Sequence, residues 1–87
     1  MNVTLSDDIS MRKVQDQLFI LDRRNSVLHT FNDTGAFLWE QLKAGMKPEC
    51  LAGALADQFD IGIEDAQVDV NEFLNALERH GLASIRP

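Results

Sequence analysis

Eighty-seven residues leave room for one domain with a single modest core, and no second domain is expected. With 45% hydrophobic and 25% charged residues, the chain is neither disordered nor disulfide-stapled; its one cysteine, Cys50, forbids an internal bridge and fits a reducing, cytoplasmic setting. The net charge of -6 is uneven: residues 1 to 47 hold six acids and six bases, whereas residues 48 to 87 hold eight acids against Arg79 and Arg86, a poor balance for gripping a phosphate backbone.

Residues 1–10 read as an N-terminal arm and 11–87 as the one folded domain. Met1 to Asp8 show no basic cluster leading into an apolar run, and no stretch reaches membrane-spanning length, so neither export nor anchoring is expected. Met11 to Val14 is a short, weakly patterned strand. After the break at Asp16-Gln17, the run Leu18-Phe19-Ile20-Leu21 is long enough for one buried strand. Asp22-Arg23-Arg24-Asn25-Ser26 is a polar turn in which Asn25 suits the left-handed conformation that a tight reversal needs. Val27-Leu28-His29-Thr30-Phe31 returns as the third strand of a meander, leaving backbone groups unpaired on one side.

At Asn32 the period changes from strand to helix. Asn32 is a good N-cap; Gly35, Leu38, Trp39 and Leu42 follow at helical spacing, and Gly45 suits a C-terminal cap. Pro48 fits the first turn of a second helix, whose Leu51, Leu55 and Phe59 lie four apart, with Ala52 and Ala56 widening the stripe, and which ends near Asp60. Gly62 caps a third helix beginning at Ile63, with Glu64 and Asp65 at the positive end of its dipole. Val70, Phe73, Leu74 and Leu77 line one face of it. Gly81 closes that helix, and Leu82 to Ile85 form a final extended piece. The expected fold is α+β: a three-stranded antiparallel sheet followed by three helices, resembling a winged helix-turn-helix with its sheet placed first.

Catalytic chemistry needs convergent groups, and the inventory is thin: two His, one Cys and no Tyr. Cys50 lies among helix residues, where a free cysteine behaves as a small buried hydrophobe rather than a nucleophile. There is no Cys-x-x-Cys, His-Glu-x-x-His or acidic calcium loop, and the acids Glu64, Asp65, Asp69 and Glu72 read as a solvated helix face. The glycines are too scattered to cradle phosphates. Trp39, on an apolar stripe, reads as a core anchor. No enzyme activity, metal or cofactor is expected.

Three segments in order resemble the PqqD family, the peptide chaperones named for pyrroloquinoline-quinone (PQQ) biosynthesis and also called leader-peptide recognition elements. They are Leu18-Phe19-Ile20-Leu21-Asp22 with its turn and returning strand; Phe31-Asn32-Asp33-Thr34-Gly35-Ala36-Phe37-Leu38-Trp39, similar to the family's Leu-Asn-x-Thr-Gly or Ala-x-x-x-Trp; and Asp69-x-x-x-Phe73-Leu74-x-x-Leu77-x-x-x-Gly81-Leu82. The likeness runs from about Met11 to Leu82. It departs at Asn25-Ser26, where the family often has glycine, at Lys47-Pro48, where it often has Ser or Thr, and at the Gly62 cap.

The resemblance implies a non-catalytic chaperone that binds the leader of a ribosomally made precursor peptide. The leader would be laid as an added strand against the third strand, in a groove bordered by the third helix, and presented to a modifying enzyme, often of the radical S-adenosylmethionine (radical SAM) type. An open strand edge flanked by side-chain pockets independently permits this mode of capture. The expected peptide-binding residues are Val27, Leu28, His29, Thr30 and Phe31 through the strand, with Asp69, Glu72, Phe73 and Ala76 on the helix. Asp69 has a second reading as an acid that only stabilises its own helix. The same edge could pair with a second copy, giving a homodimer. Two competing readings keep the fold: an adaptor between enzymes, and a DNA-binding winged helix. The latter is opposed by Glu64, Asp65, Asp69, Glu72 and Glu78 against Arg79 on its recognition helix.

Overall fold

The computed structural model describes residues 1–87, in the order β1 (Asn2–Leu5), β2 (Ile9–Val14), β3 (Gln17–Asp22), β4 (Val27–Phe31), α1 (Asp33–Lys43), α2 (Pro48–Phe59), α3 (Ile63–Arg79) and β5 (Ala83–Arg86). The meander β2-β3-β4 is antiparallel throughout, and the three helices follow it, the expected α+β arrangement. In β3, Leu18, Ile20 and Asp22 are buried on one face, while Phe19 is half-buried and Leu21 exposed on the other. The apolar run is therefore a strand covered on one side only, because the helices pack on a single face of the sheet.

The first two helices begin where local chemistry supplies the boundary, whereas α3 starts after Gly62 without a side-chain cap. Asn32 caps α1: its Oδ1 accepts from the Gly35 backbone N–H at 3.2 Å and from Thr34 Oγ1 at 3.0 Å. Pro48 starts α2, where a missing N–H is harmless, and Asp60 ends it in a left-handed conformation. The apolar faces converge on Trp39, Leu38, Leu51, Leu55, Val70, Leu77 and Leu82, all essentially sealed from solvent. Trp39 is the core anchor expected of it, and its Nε1 donates to Met11 Sδ at 3.1 Å, so the buried indole keeps a partner.

Three local expectations are corrected. The left-handed residue of the β3–β4 turn is Ser26, not Asn25; Asn25 instead turns its side chain back, donating from Nδ2 to Asp22 Oδ2 at 3.0 Å. Cys50 is exposed in the first turn of α2, not buried. The segment set apart as an arm contains β1, which pairs antiparallel with β5 from Asn2↔Arg86 to Leu5↔Ala83. Val3, Leu5 and Ile85 from this second sheet pack against the main core.

Candidate functional site

β4 is the outer strand of its sheet, hydrogen-bonded to β3 on one side and to no strand on the other. Its register opposite Asp22, Ile20 and Leu18 turns Val27, His29 and Phe31 toward the helical side. Leu28 and Thr30 point to the opposite face, so they offer the edge their backbone rather than a side chain. The strand meets α3 through two ring contacts. Phe31 packs edge-on to Phe73 with centroids 5.5 Å apart, and His29 lies against His80 at 4.6 Å.

Helical spacing brings Asp69, Glu72, Phe73, Ala76 and His80 along one side of α3. Asp69, Glu72, Phe73 and Ala76 join Phe31 in lining a cleft of about 260 Å³ between the end of β4, α1 and α3. The structure thus gathers these five sequence-named residues at one place, while Val27 and His29 sit farther along the strand. Val70, Leu74 and Leu77 are buried in the core behind the cleft. Sequence reasoning missed the α1 side of the lining: Asn32, Thr34, Gly35 and Leu38. The Asn-x-Thr-Gly run is a signal for them, but in sequence it has the look of a cap and core pattern alone.

Gly35 is there because nothing larger fits. A Cβ at this position would come within 2.9 Å of Phe31 Cβ and 3.2 Å of its Cδ1, so the first turn of α1 can lie against β4 only without a side chain. Phe31, Leu38, Phe73 and Ala76 give the cleft its apolar wall; Asn32 and Thr34 make it mixed in character, with Asp69 half-buried and Glu72 exposed as its only charges. It suits an extended segment that inserts apolar side chains and brings positive charge alongside.

At the other end of β4, a polar cluster ties the hairpin to α3. Asp22, 1% exposed, accepts from Asn25 Nδ2, from the Arg24 backbone N–H at 3.0 Å and from Arg24 Nε at 3.2 Å. The Asn25 hydrogen bond, helped by those of Arg24 and its charge, outweighs burial and lowers the carboxyl to about 2. Arg24 Nη2 then reaches the Gly81 carbonyl at 2.7 Å, which also accepts from Ser6 Oγ at 2.7 Å. In sequence Asp22 belongs to a polar, solvated turn; only the folded hairpin reveals it as buried.

No three His, Cys, Asp or Glu side chains gather as a metal would require. The two histidines face each other rather than Cys50, which stands exposed on α2. No helix is long and apolar enough to cross a membrane.

Comparison with known proteins agrees with this geometry. No curated protein sequence matches the chain. Among solved structures, TbiB1 in complex with the TbiA(beta) leader peptide superposes with a TM-score of 0.87 at 20% identity, covering 95% of this chain and 96% of that one. Lasso peptide synthetase B1, complexed with the leader peptide, superposes with a TM-score of 0.85 at 25% identity, covering 95% and 98%. The sequence profile of the family described as Coenzyme PQQ synthesis protein D (PqqD) matches residues 17–83, from β3 through α3 to the start of β5. That span takes in the hairpin, the edge strand and the helix wall, and the chain belongs to the PqqD family.

Proposed function

We propose that this protein is a non-catalytic peptide chaperone: it captures the leader of a ribosomally synthesised precursor peptide by strand addition to β4 and presents the peptide to a separate modifying enzyme. The observation that carries this reading is the unpaired edge of Val27–Phe31 running beside a cleft walled by α3. Every second residue of an edge strand directs its N–H and C=O outward, so the leader's main chain gains hydrogen bonds while the cleft selects its side chains. Val27, Leu28, His29, Thr30 and Phe31 hold the leader; Asp69, Glu72, Phe73 and Ala76 line its path. Membership of the PqqD family, and the two similar proteins solved with leader peptides, support the same occupant.

The leader loses conformational entropy on ordering, so a micromolar affinity, about 8 kcal/mol, is expected. The enzyme served is of the radical SAM type or another peptide-modifying class and carries the chemistry, in the cytoplasm where the lone thiol of Cys50 stays reduced. A second copy of the chain pairing through β4 would occupy the same edge, so homodimer and leader complex exclude each other. The acids along α3 count against the DNA-binding alternative.

The test is calorimetric titration with the synthetic leader of a precursor peptide encoded beside the gene. Wild type, Leu28→Pro, which removes a backbone donor from the edge strand, and Ala76→Glu, which fills the cleft from a half-buried position, are compared. Micromolar binding lost in both variants while their thermal unfolding stays cooperative supports strand-addition capture. Undiminished binding in both, or no heat from any neighbouring leader, removes it and leaves the adaptor reading.

A further inference from the structure

The face of the β2-β3-β4 sheet turned away from the helices is left in solvent, and register sets its side chains in rows. Ser10, Leu21 and Leu28 lie side by side across the three strands, and Arg12, Phe19 and Thr30 form the next row. Leu21 and Leu28, direct neighbours, are 39% and 59% exposed, and Val14, also exposed, continues the apolar surface toward the β2–β3 turn. Phe19 is half-buried between its row neighbours. A single apolar residue in solvent is ordinary, whereas several grouped on one face mark a contact surface.

Charge sets this face apart as well. In a chain of net charge -6, residues 9–31 hold Arg12, Lys13, Arg23 and Arg24 against Asp16 and Asp22. Asp22 is engaged by Arg24 and Asn25 on the buried side, and Lys13 pairs with Glu40 of α1. Asp16 stands in the turn beyond Val14 and Gln17. Arg12 belongs to no ion pair, and it is the one charged side chain in the two rows.

We infer that this open face is the docking surface for the peptide-modifying enzyme, which meets it with an apolar patch carrying a carboxylate for Arg12. The inference rests on the leader-capture reading. A protein that presents a bound leader holds leader and enzyme together, so the enzyme needs a surface other than the edge of β4 and the cleft. The open face begins at that edge, through Leu28 and Thr30, and stays exposed when a leader lies in the plane of the sheet. A leader added as a fourth strand widens the same face, because alternate leader side chains fall beside Leu28 and Thr30. An enzyme seated there lies against the peptide it modifies. A second copy of the chain suits the face less well: stacking two open faces brings Arg12 from each side, and neither row holds a carboxylate to meet it.

The experiment titrates the purified modifying enzyme encoded beside the gene into wild type, Leu21→Glu, Arg12→Glu and Ile63→Glu, each with and without saturating synthetic leader. Leader affinity and solution mass are followed in parallel. Ile63→Glu is the control, an exposed apolar residue at the start of α3. Leu21→Glu is expected to weaken enzyme binding about tenfold or more and Arg12→Glu about threefold, the latter most clearly at low salt. Leader affinity in every variant, and enzyme affinity in Ile63→Glu, stay within about twofold of wild type, as surface changes away from a contact do. Arg12→Glu, wholly at the surface, decides the matter should Leu21→Glu fail to fold. Enzyme binding that is equal in all four proteins, or absent from wild type, overturns the inference. So does a leader affinity that falls as far as the enzyme's, which assigns the face to the leader, or a wild-type dimer that Leu21→Glu dissolves, which assigns it to a second copy. If wild type binds the enzyme but no leader, the capture reading fails, and the titrations of free protein still decide the face.

Discussion

Gly35→Val tests the close approach of α1 to β4. The new Cβ would stand 2.9 Å from Phe31 Cβ, where carbon atoms normally rest about 3.5 to 4.0 Å apart. Phe31 Cβ is fixed to the β4 backbone and cannot rotate away, so strand and helix must part by roughly 0.6 to 1 Å to reach that ordinary separation. Over-packing of this kind costs about 1–3 kcal/mol, and the better helix propensity of valine returns only about 0.4 kcal/mol. The net loss of about 0.6–2.6 kcal/mol lowers Tm by roughly 2–20 °C for a domain of this size. Total stability should be roughly 4–13 kcal/mol at the usual value per residue, so the variant still folds. Thermal and urea unfolding followed by circular dichroism give the number, and leader affinity should fall with it as Phe31 leaves Phe73. An unchanged or raised Tm with the Phe31 to Phe73 contact intact would refute the steric argument.

Three further outcomes follow from the packing and electrostatics. The Asp22 carboxyl is lowered from 3.8 to about 2 on folding, so the stability it confers is complete above its unfolded value and drains away as pH falls from about 4 to 2. The gap in urea midpoint between wild type and Asp22→Asn should therefore close over that window; a gap as large at the acid end as at neutrality rejects the ionised tie. Met11→Leu deprives the Trp39 indole of its acceptor and should cost about 1 kcal/mol, sulfur being a weak partner, with a shift in Trp39 emission. Leu77→Ala, at a fully buried site, should cost about 2–5 kcal/mol, whereas Val68→Ala, 54% exposed, should stay within about 0.5 kcal/mol in the same urea assay.

Sequence reading succeeds where the determining contacts are local. Asn32, Pro48 and the helical spacing around Trp39 and Val70 act over a turn or two of chain, so they mark the helices by themselves. The residues gathered on α3 are legible for the same reason. What escapes depends on partners far along the chain. Pairing of Asn2–Leu5 with Ala83–Arg86 has no local cause. Asp22 reads as solvated until the hairpin closes around it and Arg24 reaches Gly81. Nothing near His80 in the chain announces its contact with His29, 51 positions earlier. Ser26 rather than Asn25 takes the left-handed conformation, and the Asn25 amide donates to Asp22.

The pairing of β1 with β5 also orders events during synthesis. Because β1 finds its partner only in β5, it must wait until Arg86 has emerged, and the long loop between them is costly to close. The β2-β3-β4 meander, by contrast, can assemble as soon as Phe31 has appeared. A nascent chain therefore passes through an interval in which β4 is open and the helix that walls it does not yet exist. In that interval a neighbouring strand could add to it without selection by the cleft, making the time taken to complete α3 and β5 a determinant of how cleanly the protein matures.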